Sequence, residues 1–163
     1  MILRVAAACV AAALVWVVAG SRVQNQERLP LGAIVPGAVM TLPFGCTTFE
    51  LEPFDPFCPG RHIHTGVDLA APEGTGVHAA TSGTARIRFD SGGAGLFVVV
   101  TADQHVRELY CHLSAAVVMD GSTVVPGQVI GLVGATGLAT GPHVHFEVQI
   151  DGTSVDPVVW LAP

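Results

Sequence analysis

The chain contains no lysine. Schiff-base chemistry, a P-loop ending in GKS or GKT, and any carrier domain biotinylated or lipoylated on lysine are therefore excluded. Charge is scarce overall. Seven Arg and 13 Asp or Glu among 163 residues make 12%, about half the usual quarter. The net charge is −6 and no basic cluster occurs, which argues against a nucleic-acid partner. HExxH and GxSxG are both absent. The first absence excludes one large class of metal hydrolases, and the second removes the commonest serine-hydrolase signal. No window of useful length has helical periodicity, and no repeat or second-domain boundary is visible.

One long apolar run is present. Met1 to Arg4 carries a single positive charge, and Val5 to Ser21 follows with 17 uncharged residues. That length straddles a signal-peptide core and a membrane-spanning helix. Residues 1–21 are therefore expected to be a signal peptide or an N-terminal membrane anchor, forming an apolar helix. Ala19-Gly20-Ser21 is a passable cleavage site, and Arg4 favours an outward-facing C-terminus. Either reading exports the rest of the chain and permits disulfides. Cys9 lacks the sequence context of a lipidation site. Cys46 and Cys58 flank a Pro- and Phe-rich loop and are the expected pair, worth roughly 3 kcal/mol by chain entropy. Cys111 is expected to be a buried thiol.

Half of the residues are apolar, with 19 Gly and 11 Pro. Residues 22–43 form a Pro- and Gly-punctuated lead-in. From Gly66 onward, short apolar or alternating segments recur between turns every 8–12 residues. They include 67–70, 76–80, 84–89, 96–101, 106–113, 129–133 and 143–150. The pattern predicts an all-β domain over 44–163, an antiparallel sandwich or open barrel.

The histidines carry the chemistry. His64-Thr65-Gly66-Val67-Asp68 sets an imidazole and a carboxylate four positions apart across a glycine. His143-Val144-His145 puts two imidazoles on one strand face, because side chains alternate with period two. His112 stands at a strand end in Tyr110-Cys111-His112-Leu113. Nitrogen and oxygen donors of this kind suit zinc, and three protein ligands with an open fourth position make a catalytic site. HxH or HxGxD alone is weak evidence. The two together, with an isolated strand histidine between them, form a strong constellation.

These motifs resemble those of the lysostaphin-type (LytM-like) zinc metallopeptidases, which cut peptide bonds in bacterial peptidoglycan. The resemblance runs from about Phe44 to Pro157. It rests on HTGVDLAAPEGTGVHAATSG at 64–83, GGAGLFVVV at 92–100, YCHLS at 110–114, VVPGQVIGLVGATG at 124–137 and TGPHVHFEV at 140–148. It implies a hairpin-rich, lipoyl-like duplicated architecture for 44–163. It also implies that His64, Asp68 and His145 bind zinc and that His112 and His143 are catalytic. One of those two takes a proton from a zinc-activated water and the other stabilises the oxyanion, with the order left open. The substrate partner would be a peptidoglycan peptide, met in the periplasm or cell wall by a monomer. Which peptide bond is cut stays open.

Other residues have lesser readings. Tyr110, the one tyrosine, is either an oxyanion-binding group on the face of His112 or part of the core. Glu147 shares the face of His143 and His145, and is expected to be a solvated strand-end carboxylate. His62 is an exposed neighbour of His64. Gly66 allows close packing beside the ligands, and the loop from Gly134 to Gly141 can bring backbone near an extended peptide. His105 and Glu108 match an HxxE pattern by chance. The alternative function is a non-hydrolytic metal-binding scaffold that binds peptidoglycan or activates a partner hydrolase. The unsubstituted five-residue site argues against it.

Overall fold

The structure, a computed structural model, describes residues 28–163. The expected leader or anchor helix lies outside the described residues. The lead-in builds α1 (Leu31–Ile34) and β1 (Val39–Leu42). Then come β2 (Gly45–Thr47), β3 (His62–His64), β4 (Val67–Ala70), β5 (Gly76–His78), β6 (Gly83–Asp90), β7 (Gly95–Thr101) and β8 (Val106–Leu113). The chain continues through β9 (Ala115–Ala116), β10 (Thr123–Val124), β11 (Val129–Leu132), β12 (His143–Ile150), β13 (Thr153–Val155) and α2 (Pro157–Leu161). The predicted strands are all present within a few residues, and the architecture is predominantly β.

The main sheet has eight strands. Seven run in the order β1-β4-β12-β8-β7-β6-β10, and β13 pairs with β12. A second sheet has the order β5-β11-β9, and β2 pairs with β3. Every named strand pairing is antiparallel. No closed barrel forms among the described residues. Side chains from the two larger sheets meet in one core: Val67, Leu69, Val98, Val100, Val144, Phe146 and Val148 from one, Val77 and Ile130 from the other. Alternation along β12 sends Val144, Phe146 and Val148 inward and leaves His143 and His145 on the opposite face.

The lead-in is integral to the sheet. β1 pairs with β4, the strand that carries Asp68, with Leu42 opposite Asp68. Val35 and Ile34 are fully or almost fully buried. Helix α2 starts at Asp156, whose carboxylate accepts the Val158 N–H at 2.8 Å, followed by Pro157 in the first turn.

Candidate active site

Strand pairing assembles the site. β12 lies beside β4 with His145 opposite Asp68 and His143 opposite Ala70. His64 ends β3, two residues before Gly66. Its Nε2 lies 3.1 Å from Asp68 Oδ1 and 2.9 Å from His145 Nδ1, and His145 Nδ1 lies 3.2 Å from Asp68 Oδ1. All three potential ligand atoms fall within 4.8 Å of one another. Gly66 makes this approach possible. A Cβ there would sit 2.4 Å from the Phe146 carbonyl oxygen and 2.9 Å from His145 Nε2. Gly66→Ala is therefore expected to displace His145 and weaken metal binding by about 10- to 100-fold, as loss of a supporting contact does. Competition with a colorimetric zinc chelator measures this.

Hydrogen bonds fix each ring's orientation. His64 Nδ1 donates to the Pro43 carbonyl at 2.9 Å, His112 Nδ1 to the Thr136 carbonyl at 2.9 Å, and His143 Nδ1 to the Gly141 carbonyl at 2.8 Å. Each bond leaves Nε2 as the free nitrogen. His145 is turned the other way: Nδ1 faces the centre and Nε2 lies 3.6 Å from the Glu147 carboxylate. With both imidazoles neutral and Asp68 ionised, the triangle of His64 Nε2, His145 Nδ1 and Asp68 Oδ1 thus sets lone pair against lone pair. Such a cluster needs a cation between its members.

The electrostatics carry the same sign. Burial works to raise the Asp68 carboxyl, but the His145 and His64 imidazoles beside it outweigh burial and hold it well below the usual carboxylate range. Burial opposes a charge on His145, yet Asp68 and Glu147 overcome it and raise its pKa to about 9. In the absence of a metal, a proton takes the cation's place.

His112 and His143 lie side by side next to the triangle, with ring centroids 4.7 Å apart and the rings tilted by 48°. His143 Nε2 is 3.8 Å from Asp68 Oδ1. His112 reaches the site through a β-bulge. Leu96 pairs with Leu113 and Val98 with Tyr110, so two steps on β7 face three on β8. His112 takes the left-handed conformation there, with φ 62°. The extra residue breaks alternation, and Tyr110 and His112 part company. Tyr110 is fully buried; its hydroxyl accepts the Ala80 N–H at 2.7 Å and donates to Glu108. It is a core residue and does not face the site. Tyr110→Phe is expected to cost about 1–3 kcal/mol of stability by leaving the Ala80 and Glu108 groups unpaired, with turnover per folded molecule unchanged. Denaturant titration alongside an activity assay separates the two effects.

Glu147 is not solvated. It is 8% exposed, accepts hydrogen bonds from Thr65, Gln149 and Ser154, and backs His145. Burial raises its pKa, but His145 and Ser154 outweigh that and hold it low. Strand parity placed it on the correct face. Its burial depends on β13, whose Ser154 pairs with Gln149 across from it. His62 is half-buried, its Nδ1 donating to the Glu52 carbonyl at 2.7 Å. His105 is exposed beside Asp151 while Glu108 is buried, so the HxxE pair does not converge.

Gly134 and Gly137 of the 134–141 loop pack on the chain itself. A Cβ on Gly134 would sit 2.2 Å from Ser114 N, and one on Gly137 2.3 Å from Gly95 N. The loop thereby holds Thr136 and Gly141, the anchors of His112 and His143.

A small cavity of about 40 Å³ opens over the centre, lined by Asp68, His112, His143 and His145 and walled by Glu52, Leu51 and Leu138. Glu52 belongs to the loop closed by the Cys46–Cys58 disulfide, which is present as expected. Sequence pattern gave no sign of Glu52, because only the loop's path brings it here.

Residues 62–157, or 96 of 163, match the family described as Peptidase family M23. The chain is 46% identical over 101 residues to DD-carboxypeptidase/endopeptidase Mpg of Neisseria meningitidis serogroup B, covering 62% of this chain and 23% of that protein. It is 39% identical over 93 residues to peptidoglycan DD-endopeptidase ShyA of Vibrio cholerae, covering 57% and 22%. The matched region is thus under a quarter of the length of these curated relatives. Among solved structures, a zinc-containing peptidase from Vibrio cholerae superposes with a TM-score of 0.67 at 30% identity, over 82% of this chain and 40% of that one. The catalytic domain of the antimicrobial peptidase lysostaphin from Staphylococcus simulans gives 0.58 at 29% identity, over 76% and 92%. With the family match extending over more than half of its sequence, the chain belongs to peptidase family M23.

Proposed function

We propose that the chain is an exported zinc endopeptidase that hydrolyses peptide bonds in bacterial peptidoglycan, acting as a monomer outside the cytoplasmic membrane. The observation that carries this reading is the His64–Asp68–His145 triangle with two more imidazoles at its open side. Its edges of 2.9, 3.1 and 3.2 Å are close to the spacing of about 3.3 Å between ligands of a tetrahedral zinc with bonds of about 2.0–2.1 Å. Two imidazoles and a carboxylate are also the donor set of catalytic zinc centres, with one position left for substrate or water. Zinc bound there would supply Lewis acidity, polarising a carbonyl and acidifying a water. The names of the relatives support peptidoglycan as substrate, and the uncharged run at 5–21 supports export.

The protein's own groups then divide the work. His112, with Nδ1 tied to Thr136, presents a free Nε2 in a buried place that favours its neutral form. It takes the proton from the attacking water and passes it to the leaving amine. His143, held by Gly141 through Nδ1, turns Nε2 toward the oxygen of the tetrahedral intermediate and stabilises it as the imidazolium, with both ring nitrogens bearing hydrogen. Glu147 keeps His145 turned with Nδ1 toward the metal position.

Mass spectrometry of purified sacculi treated with the zinc-loaded full chain tests this. The expected products are peptides with one new carboxyl and one new amino end and intact glycan. Cleaved glycan, or an unchanged sacculus, overturns the proposal and in the second case favours the scaffold alternative.

A further inference from the structure

Glu52 has no assigned role in metal binding or proton transfer. Its side chain lines the cavity that contains Asp68, His112, His143 and His145. The main chain around it is pinned on three sides. Its N–H donates to the Phe49 carbonyl at 3.1 Å, its carbonyl accepts from His62 Nδ1 at 2.7 Å, and Ile63 N–H reaches the Pro53 carbonyl at 3.0 Å. The Cys46–Cys58 disulfide closes the same loop. The main chain that carries the side chain is thus held in a set place, while the carboxylate oxygens engage no hydrogen bond or ion pair among the described residues.

Among the described residues no arginine forms an ion pair with it, and the nearest positive charge is that of the site's imidazoles. There is no lysine. Arg86 and Arg88 pair with Asp120, and Arg28 lies against Trp160. The remaining walls nearby are Phe49, Leu51 and Leu138, with one hydroxyl, that of Thr140. A half-buried carboxylate beside apolar side chains carries a desolvation cost, which the neighbouring imidazoles offset only in part. A ligand cation arriving there would regain that energy in a contact stronger than an exposed ion pair.

We propose that Glu52 is a specificity residue that binds a free ammonium group of the peptide substrate next to the scissile bond, so that peptides bearing an unacylated diamino-acid side chain are preferred. This inference rests on the peptidase reading. It selects among the peptide bonds of the wall those that lie close to a cationic side chain.

The test uses one cross-linked stem peptide in two forms, its remaining side-chain amine free or acetylated. The zinc-loaded wild-type chain is expected to cut the free-amine form with a kcat/KM about tenfold higher, mainly through KM, as one charge-assisted contact would give. In Glu52→Gln the ratio is expected to fall to within about twofold. A wild-type ratio near one, or a tenfold ratio retained in Glu52→Gln, overturns the proposal. Calorimetric binding of the two peptides to the zinc-loaded His112→Ala chain separates this idea from the reading beneath it. Amine-selective binding that Glu52→Gln abolishes, with no cleavage by wild type, overturns the peptidase reading and keeps the ammonium site. Cleavage without amine selectivity does the reverse.

Discussion

Asp68→Asn is expected to reduce hydrolysis of peptidoglycan to the level of the chelated protein, a loss of about a thousandfold or more. The substitution keeps the side chain's shape and removes the one anion of the His64–Asp68–His145 triangle. With Asn, three neutral groups must hold a dication, so both the metal and the several kcal/mol it contributes to the transition state are lost. Zinc content after dialysis, measured beside activity, checks the cause: both are expected to fall together. Asp68 also matters to the metal-free protein. Its folded-state pKa lies below the ordinary value, so its ionised form stabilises the fold at neutral pH. That contribution is present above about 3.8 and disappears only as pH falls through the depressed value. Asn removes it as well, so a thermal melt of the variant is part of the experiment.

Substitution of His112 is expected to have the second-largest effect. His112→Ala lowers kcat by about 10²- to 10⁴-fold, the range for loss of a positioned acid–base group, while zinc content is retained. Burial lowers the His112 pKa, partly offset by the Thr136 carbonyl. The ring is therefore neutral at pH 7 and ready to accept a proton. Wild-type kcat/KM should hold as pH drops to the ordinary imidazole value of about 6.5 and decline only below it. The variant should lack that acidic limb. His112→Gly supplies a further contrast. At φ 62° every L side chain pays a backbone strain of about 1 kcal/mol, which glycine escapes. The Gly and Ala variants should be equally slow, and the Gly variant more stable by about that amount in denaturant titration.

The sequence made the strands legible because one buried face writes itself as a period-two pattern. β6 and β12 carry it over eight residues each, while β7 reads as a continuous apolar run and β8 alternates only as far as its bulge. His143 and His145 were readable for the same reason, and the pairing of His145 with Asp68 is a direct product of β12 beside β4. Gly66 was readable as a close approach, since a small residue between two candidate ligands has few other uses. Other features depend on contacts far apart in the chain. The bulge that separates Tyr110 from His112 needs β7 as its partner, and alternation alone puts both on one face. Glu147 is buried by Ser154 and Thr65, and Glu52 enters the cavity only through the folded path of the disulfide loop. β1 is too irregular to announce itself, with a register shift between Met40 and Leu42. Helix α2 is shorter than any periodicity window, although Asp156-Pro157 is a helix-start signature.

One metal in the His64–Asp68–His145 triangle is expected to drive peptide hydrolysis. The most direct measurement of this is the release of soluble peptide from purified sacculi as zinc is titrated into the metal-free full chain, with His145→Ala in parallel. The expected result is release that rises with added zinc and levels off at one equivalent, with the variant at background throughout. Release that is the same with and without zinc, or equal in wild type and His145→Ala, contradicts it.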